Sequence, residues 1–253
     1  MKIRGLEIGR GRPKICVPIV ASSVEEALRQ AQSLQSLQAA QLLEWRWDCV
    51  DKEALSGDIC PALTAMRAAA GDKPLLVTMR TAAEGGNMDL SDKAYEDFYE
   101  KVLESGAADL IDLELLAHDR ACLDRISALA RRAGVRVIMS SHDFQKTPPR
   151  QEILERLRLM EKAGADILKI AVMPADMEDV LELLAATQQM HRETDRPLIT
   201  MAMGAAGCVS RSCGGFFGSA VTFGAAGRQS APGQMDAGDL EQVLNLLYPD
   251  DIY

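Results

Sequence analysis

The chain repeats one pattern eight times: a short apolar or β-branched run followed by a longer stretch with helical periodicity. The runs are Lys14 to Ala21, Leu42 to Trp47, Pro74 to Arg80, Leu110 to Glu114, Val135 to His142, Ile167 to Ala171, Leu198 to Ala202 and Ala220 to Phe223. The helical stretches begin near Ser23, Pro61, Ser91, Asp119, Pro149, Asp176, Ser210 and Ala237, several of them on a residue type that opens helices. Segments such as EKAGADILKI and RRAGVRVIMS run from helix through an Ala-Gly stop into strand. Eight such units in 253 residues match, in count and length, an α/β chain folded as a (β/α)8 TIM barrel, with residues 1–253 forming a single domain undivided by any Pro- or Ser-rich linker. A doubly wound open sheet is the other parallel architecture, but the turn after Ala21 reads SSVEEAL where that fold usually carries GxGxxG. The residues before Lys14 are read, from Ile3, Leu6, Ile8 and the glycines, as a short hairpin closing the barrel's N-terminal end.

Composition narrows the partners. Aromatic residues make up only 4%, which disfavours an all-β sandwich. A net charge of -9 repels phosphate backbones and anionic lipid headgroups, so neither nucleic acid nor a membrane surface is expected as a partner. The longest uncharged runs, Pro197 to Ser210 and Ser212 to Gly227, are Gly- and Ser-rich and shorter than the ~20 apolar residues of a spanning helix. The opening MKIRGLEIGRGRPK has scattered charges and no apolar core of the secretory type, so the expected location is the cytoplasm. Six cysteines without a CxxC pair read as reduced thiols, and three histidines without HExxH give no support for a metal site.

Side chains alternate faces along a strand, and here the alternation separates apolar from polar residues. Leu43, Trp45 and Trp47 share one face while Glu44 and Arg46 share the other; Leu75, Val77 and Met79 oppose Thr78 and Arg80. Ile111, Leu113 and Leu115 oppose Asp112 and Glu114, and Val135, Val137 and Met139 oppose Ser140 and His142. In the sixth run Lys169 alone is charged among Ile167 and Ala171, with Leu168, Ile170 and Val172 facing the helices. The polar sets are expected to face the lumen near the strands' C-terminal ends, where barrel enzymes build their sites. Pairs such as Glu44 with Arg46, or Asp112 with Arg80, also suit purely structural ion pairs.

Lys169 has little to pair with in ADILKIAVMP, and desolvation beside Arg46 or Arg80 favours a neutral, nucleophilic amine. His142 is the one histidine at a strand end, and Glu84 in RTAAEGG can orient it; His118 and His191 read as loop and surface-helix residues. Lysine with histidine, and no dinucleotide motif, suggests iminium chemistry with proton abstraction at the α carbon. Arg46, Arg80 and Arg211 suit a carboxylate or hydroxyls, while Ser230 and Gln234 occupy a Gly/Pro/Ser-rich loop after the last strand.

These residues resemble the type I 3-dehydroquinate dehydratase family over nearly the whole chain. The resemblance is carried by EWRWD at 44–48, TMRTAAEGG at 78–86, SSHDF at 140–144 and LKIAVMP at 168–174, then ITMAMG, VSR ending at Arg211, FGSAVTFG, and SAPGQ at 230–234. It implies a hydro-lyase of the shikimate pathway, converting 3-dehydroquinate to 3-dehydroshikimate by syn elimination. Lys169 would form the Schiff base, His142 would be general base and then acid, and Glu84 would work with it; Glu44, Arg46, Arg80, Arg211, Ser230 and Gln234 would bind substrate. It also implies no external cofactor and a homodimer. Departures are Ser141, where an aromatic is common, MAMGAAG, and the small SCGGFFG stretch. The competing readings are a class I Schiff-base aldolase, with a phosphate cradled by Gly204 to Gly207 or Gly224 to Gly227, and a non-catalytic metabolite-binding barrel.

Overall fold

The computed structural model describes residues 1–51 and 58–249. A two-stranded hairpin, β1 (Lys2–Ile3) and β2 (Leu6–Glu7), precedes eight parallel strands: β3 (Lys14–Ile19), β4 (Leu42–Arg46), β5 (Leu75–Thr78), β6 (Leu110–Glu114), β7 (Arg136–Asp143), β8 (Ile167–Val172), β9 (Leu198–Ala202) and β10 (Val221–Phe223). Each is followed by a helix: α1 (Val24–Gln35), α2 (Cys60–Ala70), α3 (Asp92–Glu104), α4 (Arg120–Ala133), α5 (Arg150–Lys162), α6 (Met177–Glu193), α7 (Cys208–Cys213) and α8 (Ala237–Leu247). The sheet runs β10-β3-β4-β5-β6-β7-β8-β9, and Ala220 N–H donating to Leu198 O at 2.7 Å brings its two edges together. The result is a nearly closed (β/α)8 barrel, as the repeat predicts.

Local chemistry sets the element boundaries. Ser23, Ser91 and Asp176 cap their helices through side-chain oxygens that accept backbone N–H groups one turn in. Gly134, with φ +72°, ends α4 in the left-handed region. Helix α7 starts two residues before the expected Ser210, because the Ser210 hydroxyl donates to Gly207 O and accepts from Ala202 N–H, tying the helix to β9 rather than capping it.

Two apolar layers confirm the alternation. Leu43, Trp45, Val77, Ile111, Val137, Leu168 and Ile170 pack outward against Leu63, Tyr99, Ile126, Leu157 and Leu183 of the helices. Inside the barrel a separate cluster joins Leu42, Leu76, Leu110, Ile138, Ile167, Ile199 and Val221, all near the strands' N-terminal ends, to Ile3 and Ile8 of the hairpin segment. The hairpin therefore plugs the barrel floor, and Arg4 pins it from outside through two hydrogen bonds to Asp109, at 2.7 and 2.8 Å. Burying each Leu or Ile contributes ~1.5–3 kcal/mol, so the apolar floor supports the charged layer above it. That upper layer holds the site.

Candidate active site

Lys169 lies midway along β8, 3% exposed, facing the lumen. Its Nζ donates to Asp112 Oδ2 at 2.9 Å, stands 3.9 Å from Glu44 Oε1, and lies 4.9 Å from the centre of the Phe223 ring. This corrects the expectation of an amine that has little to pair with and is governed by neighbouring arginines. Inward side chains from alternate strands share a layer, so a carboxylate from β6 meets a lysine from β8 across the lumen. Local sequence could not reveal that contact.

His142 stands near the end of β7. Glu84 closes a 3₁₀ turn (Ala82–Glu84) after β5, and its Oε2 accepts from the His142 backbone N–H at 3.0 Å and meets Nδ1 at 2.7 Å. With Nδ1 engaged, Nε2 is the nitrogen available to a substrate. Burial pushes the Glu84 carboxyl up to about 8, only partly offset by Arg80. Burial, and then the Arg80 and Lys169 cations, hold His142 well below the ordinary imidazole range. A neutral imidazole is the form able to accept a proton.

The three arginines differ in their partners. Arg80 is surrounded by carboxylates: Nη2 to Asp112 Oδ1 at 2.8 Å, Nη1 to Glu114 Oε1 at 2.8 Å and to Glu84 Oε2 at 3.5 Å. Arg46 forms a two-pronged pair with Asp48, both contacts at 2.8 Å. Arg211, on α7 and 1% exposed, has no carboxylate partner among the described residues: Nη2 donates to Pro232 O at 3.2 Å, Nη1 sits 3.7 Å from Met201 Sδ, and Nε has no partner. Burial alone pulls its guanidinium down to about 10. A buried, uncompensated cation is costly and is relieved when an anion arrives.

Ser230 and Gln234 clasp each other through Ser230 N–H to Gln234 Oε1 and Gln234 Nε2 to Ser230 Oγ, both at 2.9 Å. Between them Gly233 has φ +78° and passes so close to Gly204 that a Cβ would lie 2.1 Å from its carbonyl oxygen. One pocket is lined by Lys169, His142, Glu84, Glu44, Arg46, Arg80, Ser230 and Gln234, together with Phe144, Met203 and Phe223. Of the nine residues picked out in the sequence, Arg211 stands behind this wall, on Met201 and Pro232.

Sequence reasoning missed part of the scaffold. Asp48 lies in the turn beyond β4, where alternation no longer applies, yet it holds Arg46 and accepts from the backbone N–H groups of Arg80 and Asn87. Glu114 and Ser140, both expected on the inward face, fix Arg80, whereas the Tyr99 hydroxyl, which no strand run reveals, grips Asp112 O from the helix side. His118 lies in the loop after β6, as expected, but its side chain is only 2% exposed, stacked on Tyr95, and 2.7 Å from Asp92 Oδ1. Of the glycines proposed as phosphate cradles, Gly207 and Gly224 serve packing, since a Cβ on Gly207 would lie 2.0 Å from Ala202 O and one on Gly224 would lie 2.9 Å from Ala237 Cα.

The barrel and its C-terminal pocket define a TIM-barrel enzyme with a lumenal lysine set beside a histidine–carboxylate pair. The sequence profile of the type I 3-dehydroquinase family matches residues 15–251. The chain is 44% identical over 249 residues to a 3-dehydroquinate dehydratase of Bacillus licheniformis, covering 98% of this chain and 97% of that one. A crystal structure of the type I 3-dehydroquinate dehydratase from Clostridium difficile, solved with covalently modified comenic acid, superimposes with TM-score 0.93 at 41% identity, covering 98% and 97% of the two chains. The Enterococcus faecalis 3-dehydroquinate dehydratase gives 0.90 at 40% identity, covering 98% and 99%. The chain belongs to the type I 3-dehydroquinase family.

Proposed function

We propose that this chain dehydrates 3-dehydroquinate to 3-dehydroshikimate, a step of the shikimate pathway, through a Schiff base on Lys169. The amine gives up a proton and attacks the ketone; the carbinolamine then loses water, leaving a protonated iminium. The iminium acidifies the α carbon, His142 Nε2 removes the proton there, and the resulting enamine expels the β hydroxyl as His142 returns the proton to it. Hydrolysis of the iminium frees the conjugated enone and restores Lys169. Because the iminium is itself the electron sink, this reading assigns no external cofactor. A homodimeric, cytoplasmic enzyme follows from the family resemblance and the composition.

The observation that carries the proposal is that Lys169 and the His142–Glu84 pair line one pocket. A nucleophilic amine and a proton acceptor must share a site for this elimination. The direct test is turnover of 3-dehydroquinate, followed by the ultraviolet absorbance of the enone; absence of turnover contradicts the proposal.

Glu84 keeps Nε2 basic only when it is ionised and accepts from Nδ1–H. Its carboxyl titrates at about 8, so the ionised fraction grows as pH rises through that region, and kcat/KM is expected to climb with it. Glu84→Gln should lower the rate by about tenfold, at or below the low end of the 10²–10⁴-fold range for a general base, and abolish that climb. An unchanged rate and pH profile would make Glu84 a bystander.

Arg211 is assigned to the substrate carboxylate because it is a buried guanidinium with no carboxylate partner among the described residues, and the pair would make two parallel hydrogen bonds. Arg211→Lys retains charge but loses the planar fork, so KM is expected to rise by about tenfold or more while kcat changes less. An unaltered KM would move the carboxylate to Arg46 or Arg80.

A further inference from the structure

We infer that Asp112 is a catalytic residue, the fixed counter-ion that keeps a positive charge on the Lys169 nitrogen favourable when the amine becomes an iminium. The inference rests on the Schiff-base reading above. Ketone plus ammonium gives protonated iminium plus water, so the nitrogen carries one positive charge before and after condensation. The elimination draws on that charge, since only the protonated iminium withdraws electrons strongly enough to acidify the α carbon.

Asp112 fits the role by its placement. It is fully buried on β6, and its two oxygens are divided: Oδ2 accepts from Lys169 Nζ at 2.9 Å, while Oδ1 takes Arg80 Nη2 at 2.8 Å and the Ser140 hydroxyl at 2.5 Å. The Tyr99 hydroxyl, donating to Asp112 O, fixes the same residue from the opposite side of the sheet. Its carboxyl is held far below the ordinary range, because Arg80 and Lys169 outweigh the penalty of burial, so it is an anion in the resting site. Glu44 is the next carboxylate to Nζ, at 3.9 Å, and its Oε1 is already engaged by Thr78. A prepositioned, fully buried anion acts without reorganising as the charge shifts onto the iminium.

The alternative is that Asp112 only braces Arg80, and Glu114 separates the two roles. Glu114 binds the other prong of the same guanidinium at 2.8 Å, and no contact joins it to Lys169. Asp112→Asn is expected to lower kcat by about 100-fold with KM little changed, as for loss of one preorganised electrostatic contact, while borohydride still labels Lys169 during turnover. Glu114→Gln should cost less than about tenfold in kcat. The charge-retaining Asp112→Glu should stay within about tenfold of the parent, and it decides the matter if Asp112→Asn does not fold. Equal losses in Asp112→Asn and Glu114→Gln, loss of Lys169 labelling in Asp112→Asn, or a 100-fold loss in Asp112→Glu would overturn the inference. Failure of the unsubstituted protein to be labelled at all would instead remove the Schiff-base reading.

Discussion

Lys169→Met is expected to fold, to bind 3-dehydroquinate, and to show no measurable dehydration. The methionine occupies a similar volume between Ala171, Phe223 and the lumen wall, and Asp112 keeps Arg80 and Ser140 as partners after the amine is gone. One buried hydrogen bond is lost, which sets a stability cost of ~1–3 kcal/mol, visible as a modest fall in Tm. All covalent catalysis is lost with it, because no second lysine among the described residues lines the pocket. Enone formation near the parental rate would remove Lys169 from the mechanism, whatever the thermal stability.

His142→Ala should show the next largest effect, a fall of 10²–10⁴-fold in kcat, the usual contribution of a positioned general base. Condensation at Lys169 and proton removal at the α carbon are separate steps, so the variant is expected to go on forming an iminium that borohydride can trap. Glu84 loses its ring partner in this variant but keeps Arg80 within 3.5 Å, so the loop after β5 should hold its place. Near-parental turnover in His142→Ala would assign the base elsewhere.

These expectations rest on residues that the sequence exposes unevenly. Glu44, Arg46, Asp112, Glu114, His142 and Lys169 are legible because each sits in a short run where a period of two places it opposite apolar neighbours. Those neighbours do pack against the helices. The eightfold repeat then turns a list of inward residues into one pocket. Contacts that depend on barrel closure are not legible: Lys169 meets Asp112 across the lumen, 57 residues away in the chain. Nor does alternation reach Asp48, which lies in the turn after its strand, or His118, whose ring is drawn inward by Tyr95 and Asp92. That Arg211 meets no carboxylate among the described residues is a property of its surroundings, and the run VSR reveals only the charge.

The proposed elimination depends throughout on a covalent iminium at one lysine of the β8 strand. Adding borohydride during turnover of 3-dehydroquinate should inactivate the enzyme and reduce that iminium to a secondary amine, after which peptide mass mapping locates the label. One stable adduct is expected, on Lys169, with Lys162 at the end of α5 unmodified and no label in Lys169→Met. A label on any other lysine, or undiminished turnover in the presence of borohydride with no adduct formed, would contradict it.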